Sequence, residues 1–304
     1  MNQYDQFTGV LREAGHIQYQ ENFPLSTCST FRIGGPADIA IFPENSSAAM
    51  HAIQLCKRWN IPYVFIGNGS NILFDDSGYR GAVIQSKRMK NIHISGTVLQ
   101  ADCGASLTAA ASAAQQASLT GMEFAYGIPG SCGGAVYMNA GAYDGQISDI
   151  LTQSIYYDPE SNQINTLCAE QHVFAYRHSV YMDSEKIILS ATFTLRQGDA
   201  MEIRKKMEEY MTRRIEKQPL EYPSAGSVFK RYPGYYTSKL IEEAGLKGCR
   251  IGGAQVSTKH AGFIVNTGNA TASDVRALIE LIQNKIRQIN GIDIECEISF
   301  IGEK

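Results

Sequence analysis

Residues 127–145, GIPGSCGGAVYMNAGAYDG, carry six glycines in one stretch, interleaved with alanine and serine. That is far more glycine than a turn requires. A long path with so little side-chain bulk can lie flat against a large planar or phosphate-bearing ligand. Tyr137, Asn139 and Tyr143 are then available for hydrogen bonds or stacking. The alternative is a tightly packed structural loop in which small residues let backbones approach.

The stretch ends a run of alternating strands and helices. Apolar runs at 39–42, 62–67, 81–85 and 98–104 read as strands, and 45–59 and 106–118 read as helices. Asn45 and Ser46 are N-cap candidates for the first helix. Such α/β units hold ligands at loops beyond strand ends. The loop IGNGSNILF, 66–74, is one of these, and its glycines allow amide groups to converge on an anion. It fails the G-x-G-x-x-G fingerprint because Ile72 stands where the third glycine belongs. Phosphate binding and a plain turn both remain open for it.

After the strand 187–195 the character changes. Residues 199–217 form a long charged helix that reads as a connector between domains, its charges a solvated face. The last third has its own pattern: a loop and strand around Ser227, helices at 237–245 and 273–290, and strands at 263–266 and 292–302. The expected division is 1–198, with an internal break near residue 90, and 199–304.

A chain of 304 residues with 44% hydrophobic and 19% charged residues suits a globular protein of two or three domains. A net charge of −3 gives no reason to expect nucleic acid or an anionic membrane as partner. No apolar run is long enough to span a bilayer and the start lacks a signal-peptide core, so a cytoplasmic location is expected. The seven cysteines are scattered and form no CxxC pair, which argues against a disulfide framework or a structural zinc site. No metal site and no obligate protein partner are expected.

Three polar positions stand apart. YPSAGSVFKRYPG, 222–234, either turns into a strand or presents the Ser227 hydroxyl with Lys230 nearby. Arg177, in AYRHS, reads locally as a surface charge. On the closing strand, alternation puts Ile292, Ile294, Cys296, Ile298 and Phe300 on one face and Asp293, Glu295, Glu297 and Ser299 on the other. The pattern leaves Glu295 and Glu297 equivalent.

FRIGGPAD (31–38), IGNGSNILF (66–74), GIPGSCGGAVYMNAGAYDG (127–145), YRHS (176–179), PSAGSVFKR (223–231), GGAQVSTKHAGFIVN (252–266) and ECEISF (295–300) occur in one order. Together they resemble the UDP-N-acetylenolpyruvoylglucosamine reductase (UDP-N-acetylmuramate dehydrogenase) family, from about Thr30 to Phe300. The short interval between YRHS and PSAGS is similar to the family's compact class.

The resemblance implies an α+β architecture: a vanillyl-alcohol-oxidase-type (PCMH-type) FAD-binding fold of two α/β subdomains, followed by a substrate domain. The failed dinucleotide fingerprint is thereby explained. It implies FAD as cofactor, NADPH as co-substrate and UDP-N-acetylglucosamine-enolpyruvate as substrate, reduced to UDP-N-acetylmuramate for peptidoglycan. It assigns Ile66, Gly67, Asn68, Gly69, Ser70 and Asn71 to FAD, with Gly127, Pro129, Gly130, Ser131, Gly133, Gly134, Asn139, Ala140 and Gly141. It makes Arg177 the electrostatic clamp, Ser227 the proton donor and, of the two acids, Glu297 the third catalytic group. Lys217, Lys230, Arg231, Lys247, Gln255 and His260 are its expected substrate contacts, with Tyr222, Tyr232, Tyr235 and Tyr236 an aromatic cluster suited to stack on uracil. Two positions depart from the family pattern: His178, where an acidic residue is expected, and Cys296, where many relatives carry proline.

Overall fold

The computed structural model describes residues 3–15, 17–143 and 145–302. It divides into two compact units. The first gathers Met1–Glu21, Ile39–Asn68 and Gly81–Arg213; the second gathers Asn22–Asp38, Gly69–Arg80 and Arg214–Lys304.

In the first unit, one sheet has the strand order Gln18–Pro24, Pro36–Phe42, Tyr79–Gln85, Tyr63–Ile66. The last pair runs parallel, with Val64 opposite Val83 and Phe65 opposite Ile84. The unit boundaries at 21/22, 38/39 and 80/81 fall within three of these strands. Helix Ser46–Arg58 buries Ala48, Ala49, Ala52, Ile53, Leu55 and Cys56, a stripe at helical spacing. Its start is fixed by Asn45, whose Oδ1 accepts from Ala48 N–H at 2.9 Å, and its last turn carries Lys57 and Arg58.

The second sheet of this unit is antiparallel throughout, in the order Gln163–Cys168, Leu151–Asp158, Ile187–Thr194, Val98–Asp102, Ile92–Ser95. Helices Leu107–Gln116 and Cys132–Tyr137 pack into the same core as this sheet, through Leu107, Ala111, Val136, Leu99 and Phe193.

The second unit is built on an antiparallel sheet ordered Ser224–Ser227, Phe263–Asn266, Ala254–Val256, Arg250–Ile251. Helix Ala272–Asn290 buries Val275, Leu278, Ile279, Ile282 and Ile286 on one stripe. Its N-terminus is doubly satisfied. Thr271 and Asp274 form a capping box, and Asp76 accepts from Ala272 N–H at 2.7 Å and Ser273 N–H at 2.9 Å. Gly291, at φ 66°, ends it in the left-handed conformation.

Two boundaries differ from the sequence expectation. The first unit does not stop at 198, because Ile203 and Met207 of helix Ala200–Lys217 lie in its core. Conversely, Phe31, Ile33 and Leu73, early in the chain, belong to the core of the second. The closing strand expected over 292–302 is regular only at Ser299–Ile301, parallel to Ile72–Phe74. Before it the chain makes a single bridge, Phe229 to Cys296, flanked by Lys230 N–H to Glu295 O and Glu297 N–H to Val228 O. The backbone thus leaves one partner for another midway, and no continuous ladder forms. The burial alternation holds over Ile292, Asp293, Ile294 and Glu295, lapses at Cys296 and Glu297, which are both half-buried, and fails at Phe300, which is exposed beneath the Arg276 guanidinium.

Among the described residues, no helix is long and apolar enough to cross a membrane.

Candidate functional site

In the first unit the two glycine loops meet. Asn68 Nδ2 donates to Pro129 O at 3.1 Å, and a Cβ built on Gly67 would lie 2.2 Å from Ser131 Oγ. A side chain at 67 would displace the Ser131 hydroxyl from its capping position, so glycine allows the close approach. Ser131, buried, accepts from Gly134 N–H at 3.2 Å and so starts the short helix Cys132–Tyr137. Gly133 N–H donates to Cys103 O at 2.8 Å, and Gly127 N–H donates to Thr108 Oγ1 at 3.1 Å. These bonds hold 127–134 against the preceding strand and helix, so the loop path is fixed by the fold. Burial pushes the Cys103 and Cys132 thiols up to about 12, so both sit under the loop as neutral groups.

The 66–71 loop is divided between the units at 68/69. Gly69 sits at φ 64°, and a Cβ there would come within 2.0 Å of Cys28 O, so glycine is required twice over. The backbone N–H groups of Asn68, Gly69 and Ser70 donate to no backbone or side-chain acceptor among the described residues. Successive undonated amides in a glycine turn are the donor set a diphosphate needs. These residues fit FAD.

Arg177 lies in the first unit, in a two-residue turn closed by Ala175 and His178, which exchange backbone hydrogen bonds of 3.2 Å each. Its own backbone is left-handed, φ 54°, at a turn position that glycine occupies without strain. One guanidinium NH2 donates to Gly141 O at 3.3 Å, and the cation stands 5.0 Å from the Tyr176 ring centroid. The departure at His178 has a local partner: Nε2 lies 3.0 Å from Asp183 Oδ2.

Ser227 and Glu297 are brought together within the second unit. Ser224 pairs with Val265 and Ser227 with Phe263, so two residues, Ala225 and Gly226, stand opposite Ile264 alone. This is a β-bulge. Gly226 is left-handed at φ 78° with no atom within 4 Å of a Cβ position, so conformation rather than space requires glycine there. Ala225 packs inward while Ser227 is half-buried. Immediately after Ser227, Val228 O accepts from Glu297 N–H at 2.7 Å, and Asn71 Nδ2 donates to Glu297 O at 2.9 Å.

The two acids that alternation left equivalent are now distinct. Glu295 is exposed and ion-paired with Lys230 at 3.1 Å, whereas Glu297 is half-buried with its backbone pinned from both sides. Lys230 is therefore directed at Glu295. Lys247, Gln255 and His260 gather around one turn. Lys247 Nζ pairs with Glu242 at 2.6 Å, Gln255 Nε2 donates to Gly248 O at 3.1 Å, and His260 Nδ1 accepts from Gly262 N–H at 3.1 Å. Burial, then the Lys247 charge, holds His260 below the ordinary imidazole range. Arg231 stacks over Tyr236 at 5.2 Å, and Lys217 ends the long helix in solvent.

Sequence reasoning missed three contacts. These are the bulge at Ala225–Gly226, the grip on Glu297 of Asn71 and the hold on the Arg177 turn of Asn139, two residues assigned from sequence to the cofactor alone. The left-handed glycine inside a strand was the available signal for the first; the other two depend on tertiary contacts.

Residues 37–165 match the model of an FAD binding domain, and residues 218–301 match that of the UDP-N-acetylenolpyruvoylglucosamine reductase C-terminal domain. A UDP-N-acetylenolpyruvoylglucosamine reductase of Caldanaerobacter subterraneus is 46% identical over 300 residues, covering 99% of this chain and 98% of the relative. The protein of that name from Pediococcus pentosaceus is 46% identical over 95% of this chain and 96% of its own length. The crystal structure of the Thermus caldophilus UDP-N-acetylenolpyruvylglucosamine reductase superposes with a TM-score of 0.80 at 31% identity, covering 94% of this chain and 98% of that one.

Proposed function

This chain belongs to the UDP-N-acetylenolpyruvoylglucosamine reductase family, and on that premise we propose that it reduces the enolpyruvyl group of UDP-N-acetylglucosamine-enolpyruvate to UDP-N-acetylmuramate, with FAD as cofactor and NADPH as reductant. The observation that carries this reading is Ser227, aimed by a bulge beside the pinned backbone of Glu297, in a chain similar from end to end to reductases of this name.

The 66–71 and 127–134 segments would hold FAD, which when bound passes on hydride taken from NADPH. Hydride addition to the alkene carbon distal to the ether oxygen leaves the electron pair on the carbon bearing the carboxylate. Delocalised into that carboxylate, the pair needs positive charge at the carboxyl oxygens. Arg177 answers the need, since a guanidinium stays charged and grips a carboxylate with two parallel hydrogen bonds. Glu297 is assigned to the same reaction, donating to the enolate oxygen in its protonated form. Ser227 Oγ gives its proton to the carbon next to the carboxylate and regains one from solvent. The hydroxyl is a weak acid, but the carbanion-like centre is a strong base, so transfer runs downhill. No histidine base is needed because the serine attacks nothing.

The same reading assigns Lys217, Lys247, Arg231, Gln255 and His260 to the nucleotide-sugar portion and places the enzyme in the cytoplasm, where peptidoglycan precursors are assembled. Product analysis tests it. Incubation with NADPH in D2O yields the reduced product with deuterium on the carbon bearing the ether oxygen and the carboxylate, the position that the protein-delivered proton enters. Unchanged substrate, or a product carrying no deuterium at that carbon, overturns the assignment.

A further inference from the structure

The Arg177 turn is held by more than its own two hydrogen bonds. Asn139 is 2% exposed, and both ends of its carboxamide are engaged. Nδ2 donates to Ala175 O at 3.0 Å, with Gln146 Oε1 a longer second acceptor at 3.4 Å, and Oδ1 accepts from Ser148 N–H at 3.0 Å. Ala175 O is the same oxygen that accepts from His178 N–H to close the turn. Asn139 therefore saturates the carbonyl at the base of the turn while anchoring its own far end to the 147–149 segment. A second tie lies alongside: Ser179 Oγ, fully buried, donates to Tyr137 O at 2.7 Å. Between these ties Arg177 is kept at φ 54°, a backbone conformation an arginine leaves readily unless its surroundings hold it.

We propose that Asn139 is a positioning residue for Arg177: its buried carboxamide fixes the Arg177 turn onto the glycine-rich loop and so sets where the guanidinium is presented. The family resemblance assigns Asn139 to the cofactor, yet both polar ends of its side chain are spent on protein groups. The inference rests on the reading of Arg177 as the clamp for the developing enolate.

Asn139→Asp separates the two ends. The carboxylate keeps the acceptor for Ser148 N–H but turns an oxygen toward Ala175 O and Gln146 Oε1, so both bonds made by Nδ2 are lost and a buried charge is added. The assay is anaerobic stopped flow on FAD-saturated enzyme, following flavin reduction by NADPH and then reoxidation by the enolpyruvyl nucleotide. N139D is expected to reduce its flavin at nearly the wild-type rate and to be reoxidised about 30- to 100-fold more slowly, the loss expected from misplacing a charged group by roughly an ångström. In an Arg177→Ala background the same substitution is expected to add less than about threefold, because the group it positions is gone.

Normal reoxidation of N139D alongside a crippled R177A overturns the positioning role and leaves Arg177 standing. Normal reoxidation of R177A itself overturns the Arg177 reading, and this inference with it. Equal slowing of both half-reactions, or full multiplication of the two defects, assigns Asn139 a general structural role and refutes the proposal. Asn139→Ala, which introduces no charge, is measured in parallel. If neither variant retains FAD, Asn139 serves the cofactor loop and the proposal is refuted as well.

Discussion

Ser154→Ala tests the buried polar network that flanks the Arg177 segment. Ser154 and His172 are fully buried and Tyr181 is 1% exposed. His172 Nδ1 lies 2.9 Å from Cys168 O and 3.2 Å from Ala169 O, so the proton resides on Nδ1 and Nε2 must accept. Ser154 O–H then donates to Nε2 at 2.7 Å, and Tyr181 O–H donates to Ser154 Oγ at 2.6 Å. Removing the serine hydroxyl strands two buried groups at once. At about 1–3 kcal/mol for each, with some relaxation, the loss is about 2–4 kcal/mol. For a unit of this size that lowers Tm by about 4–16 °C. Tyr181→Phe leaves the serine–histidine bond intact and costs only about 1 kcal/mol. The double variant no longer carries a stranded phenol, so it is expected to be more stable than the two single losses predict, by about 1 kcal/mol. Thermal melts of the holoenzyme at one fixed FAD concentration read all four corners of the cycle. Strict additivity, or a Ser154→Ala variant as stable as wild type, refutes the hydrogen-bond assignments.

Two further outcomes follow from the same structure. Gly226→Ala meets no atom but forces φ 78° on a residue with a Cβ, so a cost of about 1–2 kcal/mol in thermal stability is expected, with a larger proportional fall in the substrate half-reaction as Ser227 loses its aim; full activity in that variant shows that the bulge is dispensable. His172 and His260 are both held below the ordinary imidazole value of 6.5, chiefly by burial. The unfolded chain therefore takes up protons that the folded one refuses, and their contribution to stability is complete above about 6.5 and lost as pH falls through that value toward the depressed folded pKa. Melts between pH 7.5 and 5 are expected to show a falling Tm that flattens when both are replaced by glutamine and leucine respectively; an unchanged slope in that double variant contradicts the assignment.

Much of the architecture was legible because strong local signals agreed with the final packing. The helix from Ser46 announces itself by Asn45 and a stripe of alanine, isoleucine and leucine, and the helix Ala272–Asn290 by Thr271, Asp274 and its isoleucine repeat. The hairpin Leu151–Asp158 with Gln163–Cys168 was not legible, since its strands read LTQSIYYD and QINTLC, with polar residues scattered along both. The reach of the second unit into residues 22–38 and 69–80 is a matter of long-range packing, Phe31 and Leu73 against Val228 and Ile264, which no window of sequence reports. At the site, the glycine density of 127–145 pointed to a ligand by itself, whereas Arg177 was recognisable only as a member of an ordered set of motifs. Alternation left Glu295 and Glu297 equivalent and the motif resemblance selected Glu297; Lys230 on one and Asn71 on the other are the contacts that set them apart in the fold. The segment around Ser227 reads as turn and as strand with equal ease, and it is both: a strand interrupted by a bulge.

The proposed role of Ser227 is to give the proton in the second half of an NADPH-driven reduction. Anaerobic double-mixing stopped flow measures it directly, with NADPH first and the enolpyruvyl nucleotide second, on wild type and Ser227→Ala. Wild type is expected to lose its flavin absorbance on the first mix and regain it on the second. The variant is expected to match the first phase and to slow the second by about 10²- to 10⁴-fold. Equal slowing of both phases in the variant, or a wild-type flavin that oxygen reoxidises and the nucleotide does not, contradicts it.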